Sequence, residues 1–393
     1  MEARFYRFLL SRVLSSVSWQ VFIIYYLWYV VVTYNSVFLA GMIATTYLVA
    51  DLALAYPIGH LIDRSNSMAV NFVASILFGI GFIVPFLGLG LGGIYLGVAV
   101  CTAGLTSKGD SFSTIIKRNV PTEQYNTATS FNQGATGVST LAGVIIGGVS
   151  IILLKNYFLV ILLSLAILSA ILAAPAREKR IDREGNLAKE TGQVLRFLGK
   201  IAGFVVFGFV INGLFISLEV YSSGLFHVVM DAGPAYYTAF SAAFPLGMII
   251  GSVIVGQKIR SLNKSRSIAL MVTAFSPLLI IIGLSRIPLI DIFCAFWIGL
   301  LLPTINAPLT VKLTKIVPQE IYGKAMALLR IFVAGSTPVM AAVFSVLAAF
   351  FPIDMVLLAI GIIVLPFSMF ALRVIRQLME MEEPKPDTPA AAS

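Results

Sequence analysis

Five ionisable residues stand inside long apolar runs of this sequence: Asp51, Lys108, Asp110, Glu219 and Arg330. An Asp, Lys or Arg at mid-membrane costs at least about 2.5 kcal/mol on insertion scales, so each needs a protein or water partner and each is a functional candidate. Counted from the helix ends at 1.5 Å per residue, Asp51, Lys108, Asp110 and Arg330 share a depth of roughly 10 to 15 Å, whereas Glu219 lies nearer the other side. The shared depth allows Asp51 or Asp110 to pair with Lys108 or Arg330. Lys108 and Asp110 are two positions apart and point to different sides of one helix, so they do not simply neutralise each other. Two chemistries follow. Asp110 or Asp51 is expected to take up and release a proton while a basic neighbour disengages, or Lys108 or Arg330 holds an anionic substrate directly. Neutral polar residues in the same runs, namely Trp19, Gln20, Tyr25, Tyr26, Asn132, Gln133, Asn212 and Asn306, are candidates for lining a pocket.

The runs that carry these residues are membrane spans. Of 393 residues, 59% are hydrophobic and 11% charged, against roughly 45 to 50% and 25% in soluble domains. Val70 to Leu105 carries no charge at all. Lipid offers no hydrogen bonds to the backbone, so such runs must be helices. Twelve are placed, near residues 8–32, 38–60, 69–90, 92–116, 126–150, 156–175, 200–226, 232–256, 266–286, 289–312, 321–349 and 352–375. A cytoplasmic amino terminus puts most of the 27 Lys and Arg on the cytoplasmic side, so both termini are expected there, in a plasma-membrane protein. The net charge of +9 suits anionic lipid headgroups. Basic residues spread over many loops make no patch for nucleic acid, and none is expected as a partner. Cys101 and Cys294 read as packing residues, and His60 and His227 have no neighbours at metal-ligand spacing. No phosphate-cradling loop, zinc-binding His pair or nucleophile elbow occurs, so neither enzymatic activity nor any metal or other cofactor is expected.

A nine-residue phrase occurs twice, as Val120-Pro-Thr-Glu-Gln-Tyr-Asn-Thr-Ala128 and Val317-Pro-Gln-Glu-Ile-Tyr-Gly-Lys-Ala325. Pro121 and Pro318 suit the first turn of a helix, and Glu123 and Glu320 place negative charge at its positive end. The duplication divides the chain into a six-helix bundle over 1–175, a polar linker over 176–199, a second bundle over 200–376 and a disordered tail over 377–393. An interfacial helix is expected near Val194 to Lys200. A duplicated membrane protein of this size points to a transporter.

Gly59-His60-Leu61-Ile62-Asp63-Arg64 is similar to the Gly-x-Leu-x-Asp-Arg loop motif of the major facilitator superfamily, and the sequence resembles that family over nearly all its length. Ser65 to Met68 stand where the family continues with Gly and two basic residues. The resemblance implies an all-α polytopic membrane protein with 12 transmembrane helices in two pseudo-symmetric six-helix bundles, helices one, four, seven and ten lining a central cavity. It implies Gly59 for close helix approach, Asp63 as a brace of helix two against helix eleven in the outward-open state, and Arg64 as a charge partner. Lys108 or Asp110 and Glu219 would face the substrate path, and Asp51 and Arg330 the interface between halves. Gly256-Gln-Lys258-Ile-Arg260 is the degenerate counterpart in the second half. Gly143-Val144-Ile-Ile-Gly147-Gly148 resembles the Gly-Pro-x-x-Gly-Gly pattern of antiporting exporters, with Val144 in place of the proline. The expected activity is proton-coupled efflux of a small amphipathic molecule by alternating access. Substrate, protons and the bilayer are the expected partners, and no oligomer is required. The alternatives are an uptake symporter or uniporter for a small metabolite or organic anion, and a non-transporting sensor on a transporter scaffold.

Overall fold

The structure, a computed structural model, describes residues 3–120, 124–153, 157–175, 187–262, 265–317 and 322–381. Pro121, Glu123, Pro318 and Glu320 of the repeated phrase, most of the linker and the tail beyond 381 lie outside the described residues. So do the side chains of Asp63, Arg64, Gln133, Lys258, Arg260 and Arg330.

The apolar runs fold as helices: α1 (Ala3–Tyr34), α2 (Val37–Arg64), α3 (Ser67–Ile83), α4 (Gly90–Asn119), α5 (Tyr125–Leu153) and α6 (Phe158–Leu172) in the first half. An amphipathic α7 (Leu187–Lys200) follows, then α8 (Ala202–Gly224), α9 (Pro234–Leu262), α10 (Ser265–Thr273), α11 (Phe275–Leu284), α12 (Pro288–Ile316), α13 (Tyr322–Ala334), α14 (Ser336–Phe350) and α15 (Ile353–Glu380). Among the described residues, eleven segments are long and apolar enough to cross a membrane, and α6 is a shorter apolar helix. The chain is thus a multi-pass membrane protein. α7 begins seven residues earlier than the sequence suggests. It buries Val194, Phe197 and Leu198 and packs on α8 and α13.

Two spans read as continuous are each built from two helices. Pro277 and Pro338 are the cause. A proline inside a helix has no N–H to offer and collides with the carbonyl four residues back, here Thr273 and Ala334, which are the last residues of α10 and α13. The chain keeps helical direction through each break, with Ala274 N–H bonded to Leu270 O at 3.0 Å and Gly335 N–H to Ile331 O at 2.8 Å. These are kinks within spans.

One core gathers Val21, Phe22, Leu27, Phe78, Phe82, Val98 and Leu162 of the first half. The larger core is built on Phe207, Tyr221, Phe275, Ile298, Phe344 and Leu357 of the second half, and it also takes in Ile24, Trp28, Val37, Ala44, Val144 and Ile151 of the first. The halves therefore join at the end opposite the termini, where α2 meets α14 and α5 meets α9. Small residues allow the approach, because lipid supplies no hydrophobic drive and close packing must do so. Gly41 lies against Ser345 and Val220, and Gly148 against Thr238. Trp28 stacks on Tyr237 at 5.3 Å and meets His227 edge-on.

At the terminus-bearing end the halves stand apart. Asp51, Leu52, Ala53, Ala55, Pro57, His60 and Leu61 of α2 are exposed, and among the described residues nothing lies within 4 Å of the Cβ position of Gly59. Among the described residues no helix approaches Gly59 closely, since the end of α2 that carries it faces the opening.

Candidate functional site

Lys108 is buried at 1% exposure in the middle of α4. Its Nζ donates to the Oγ atoms of Ser11 at 2.9 Å, Ser75 at 2.8 Å and Ser169 at 2.6 Å. Each hydroxyl passes its own hydrogen to a backbone carbonyl: Ser11 to Ser169 O, Ser169 to Ser11 O, and Ser75 to Asn71 O. All three ammonium hydrogens thus have acceptors, and the chain of bonds ends on the backbones of α1, α3 and α6. Full satisfaction is what a buried ammonium requires. The carboxylate partner expected for Lys108 is replaced by three serines. Their spacing shows why sequence reading missed them: they come from three different helices.

Arg12 lies one turn closer to the terminus-bearing end. Its guanidinium sits 5.7 Å from the Phe112 ring centre and against Gly109, where an added Cβ would be 3.2 Å from Nη1. Asp110, on the adjoining turn, contributes a favourable field. Among the described residues, Arg12 Nε and Nη1 are buried without a hydrogen-bond partner. A buried donor left unmade costs about 1 to 3 kcal/mol, more for a charged group. Arg12 lies within the apolar run placed near residues 8–32, and that position was the clue the sequence offered.

Between α1, α4 and α5 lies a pocket of about 190 Å³ lined by Arg12, Ser15, Ser16, Trp19, Gln20, Leu105, Lys108, Gly109, Thr136 and Thr140. Below the roughly 300 to 1,000 Å³ of ligand pockets, it fits a functional group rather than a whole drug-sized molecule. Its lining carries two cations, several hydroxyls and no carboxylate. The glycines expected to mark an exporter shape this wall. Gly143 lies 2.6 Å, as a virtual Cβ, from Gln20 Cβ and 2.8 Å from Val17 O, and Gly147 meets Val21 and Ile24 at 3.2 Å, so both seat α5 on α1.

Trp19 links the pocket to the other half. Its ring meets Tyr47 edge-on at 5.6 Å, and Tyr47 Oη donates to Glu219 Oε1 at 2.5 Å. This bond joins α2 to α8 across the two halves. Glu219 is therefore at the interface, where the resemblance had set Asp51. Asp51 is exposed and accepts from Thr106 Oγ1 at 2.5 Å, within the first half. Asp110 is half-buried near Arg12. Asn212 is exposed and donates to Gly208 O, at 3.0 Å within its own helix. Tyr25 and Tyr26 pack with Phe158 in the first core rather than on the pocket. Arg330 lies on α13, and Asp63 and Arg64 end α2; their side chains are outside the described residues.

The helical arrangement matches solved transporters throughout its length. A bacterial homolog of the human lysosomal transporter Spinster, inward-facing and unoccupied, is 13% identical with a TM-score of 0.74, covering 96% of this chain and 97% of that one. The nucleoside transporter NupG is 12% identical with a TM-score of 0.73, over 97% and 100%. The peptide transporter POT in complex with sulfate is 13% identical with a TM-score of 0.74, over 97% and 96%. At such identities the likeness shows the fold. Comparison with curated proteins gives no significant match. The profile of the Major Facilitator Superfamily matches residues 8–335. The chain belongs to the Major Facilitator Superfamily and has its transporter fold.

Proposed function

We propose that the protein is a secondary active transporter that exports a small amphipathic organic anion in exchange for protons, the halves 1–175 and 200–376 rocking about a site near the pocket between α1, α4 and α5. The observation that carries this reading is Arg12, whose buried Nε and Nη1 have no partner among the described residues, beside a pocket that also holds Lys108 and is walled by Trp19. An oxyanion supplies the acceptors that a guanidinium lacks, and a planar fork suits a carboxylate or phosphate. The indole offers an apolar surface to the rest of the molecule. A plasma-membrane location with both termini cytoplasmic goes with this reading, and makes the open end the cytoplasmic one.

Glu219 is the coupling carboxylate in this proposal, in preference to Asp51 or Asp110, because its bond to Tyr47 spans the two halves. Ionised, it accepts a charge-assisted hydrogen bond; protonated, it loses that assistance. Trp19 gives the pocket a mechanical route to the same bond. The test is transport of labelled organic anions by proteoliposomes under an imposed pH gradient. Movement against the proton gradient, lost in Arg12→Gln and uncoupled from pH in Glu219→Gln, is expected. Movement of substrate in the same direction as protons would establish an uptake symporter instead, and indifference to Arg12→Gln would remove the anion site.

A further inference from the structure

A second cavity lies on the outer face of the second half, far from the pocket. α11 and α15 pack backbone to backbone near the end opposite the termini: a Cβ on Gly361 would stand 2.8 Å from Ile280 N, one on Gly283 would stand 2.6 Å from Leu358 N, and Ser276 Oγ donates to Gly361 O at 2.7 Å. Beyond Ser276, α10 takes over the contact with α15. α10 is offset from α11 by the kink at Ala274, and Pro366 interrupts the hydrogen-bond ladder of α15 at the same level. The two helices line a groove of about 530 Å³ whose walls are exposed on the surface of these apolar spans.

The groove has one chemistry along its length and another at its mouth. Leu270, Leu365, Met369 and Leu372 form its walls and are exposed, Met369 at 74%. The hydroxyls of Thr273 and Ser368 are turned onto carbonyls of their own helices, Ala269 O and Leu365 O. What remains facing outward is hydrocarbon. At the terminus-bearing end, where α10 begins, stands Arg266, exposed and lining the groove. Arg373 follows Leu372 on α15, one helical turn beyond Met369 on the same face, and is also exposed. Neither arginine forms an ion pair among the described residues. The neighbouring Arg376 is already paired with Glu380 at 2.8 Å.

We propose that this groove is a binding site for an anionic glycerophospholipid, one acyl chain lying between α10 and α15 and the phosphate held by Arg266 and Arg373. The charge at the mouth selects the occupant: a zwitterionic lipid fills the groove equally well but brings no net charge to two unpaired guanidiniums. Each basic residue near a membrane surface attracts anionic lipid by about 1 kcal/mol, roughly a fivefold preference.

Native mass spectrometry of the full-length protein released from nanodiscs of phosphatidylcholine with phosphatidylglycerol tests this site. The wild type is expected to retain phosphatidylglycerol in preference to phosphatidylcholine. The double variant Arg266→Gln/Arg373→Gln should lose that preference, by roughly fivefold per arginine, with unchanged helicity and thermal transition. Met369→Trp, which fills the groove while sparing both charges, should reduce retention of both lipids. Equal retention of the two lipids by the wild type, or undiminished phosphatidylglycerol retention in the double variant, would show ordinary annular lipid and overturn the proposal. None of these readouts depends on the transported substrate.

Discussion

Arg12 and Lys108 differ less in type than in how their hydrogens are spent. Lys108 has every donor satisfied by serine oxygens, so it acts as a tie between three helices and α4. Arg12 has two buried donors without acceptors among the described residues and itself lines the pocket, so it is the group with binding energy to offer. Arg12→Gln should weaken binding of an organic anion by about 1.5 to 3 kcal/mol, the worth of a charge-assisted hydrogen bond, as read by isothermal calorimetry or by loss of ligand-induced thermal stabilisation. Arg12→Lys should recover only part, since it restores charge without the fork. At Lys108 the expected signature is structural. Lys108→Ala should lower stability by about 2 to 5 kcal/mol through the cavity it leaves, and Lys108→Met, which refills that volume, should lose much less in thermal unfolding. Equal losses would assign the cost to the hydrogen bonds instead. The residue types were legible in the sequence, but their partners were not: Ser11, Ser75 and Ser169 are dispersed along the chain and only the packed bundle brings them within 3 Å of one ammonium.

The helices explain why certain small residues recur. Gly143 and Gly147 bring α5 onto α1 and so form one wall of the pocket, while Gly148 faces across to Thr238 of α9. The same short sequence thus serves two interfaces. Gly143→Leu should push α5 off Gln20 and the Val17 carbonyl, cost about 1 to 3 kcal/mol as overpacking does, and abolish anion binding by deforming the pocket. Gly148→Val places its branches in the space of the Thr238 side chain. Its expected effect is conformational: spin labels at the end opposite the termini should move apart in the variant, with helicity retained. An unchanged distance distribution would show that the α5–α9 contact is not a barrier to opening. The kinks after Thr273 and Ala334 were foreseeable from Pro277 and Pro338, because the clash with the carbonyl four residues back is local. Close approach at Gly59 was not, since it depends on which end of the molecule is closed.

For the molecule as a whole, contacts that hold the halves together include Trp28 with Tyr237, Gly41 with Ser345, Gly148 with Thr238, and Tyr47 with Glu219. The Tyr47–Glu219 bond is the one among these that a proton can alter. Tyr47→Phe should weaken closure of that end by about 1.5 to 3 kcal/mol, enough to shift a two-state population about tenfold or more. Distance measurements between the halves at several pH values check this. Burial disfavours the ionised carboxylate, so the closed state holds the proton more tightly and the wild type should close with falling pH, a response that Glu219→Gln, with no group to titrate, should lack. A pH response that survives in Glu219→Gln would place the proton elsewhere, with Asp110 as the next carboxylate to test.

The sequence by itself determined the frame. Apolar runs of membrane-spanning length must be helical because lipid leaves the backbone no other partner, and the repeated phrase beginning at Val120 and Val317 announced a duplicated architecture. It also named Lys108 and Glu219 as costly enough to need partners. Only the tertiary structure decided who those partners are and what each charge is left free to do. A hydrogen bond is fixed over about 3 Å, while residues separated by more than 150 positions, such as Tyr47 and Glu219 or Ser11 and Ser169, are brought together by the packing of several helices at once. Span and orientation are local or additive properties of a chain, whereas a site is a coincidence of side chains in three dimensions.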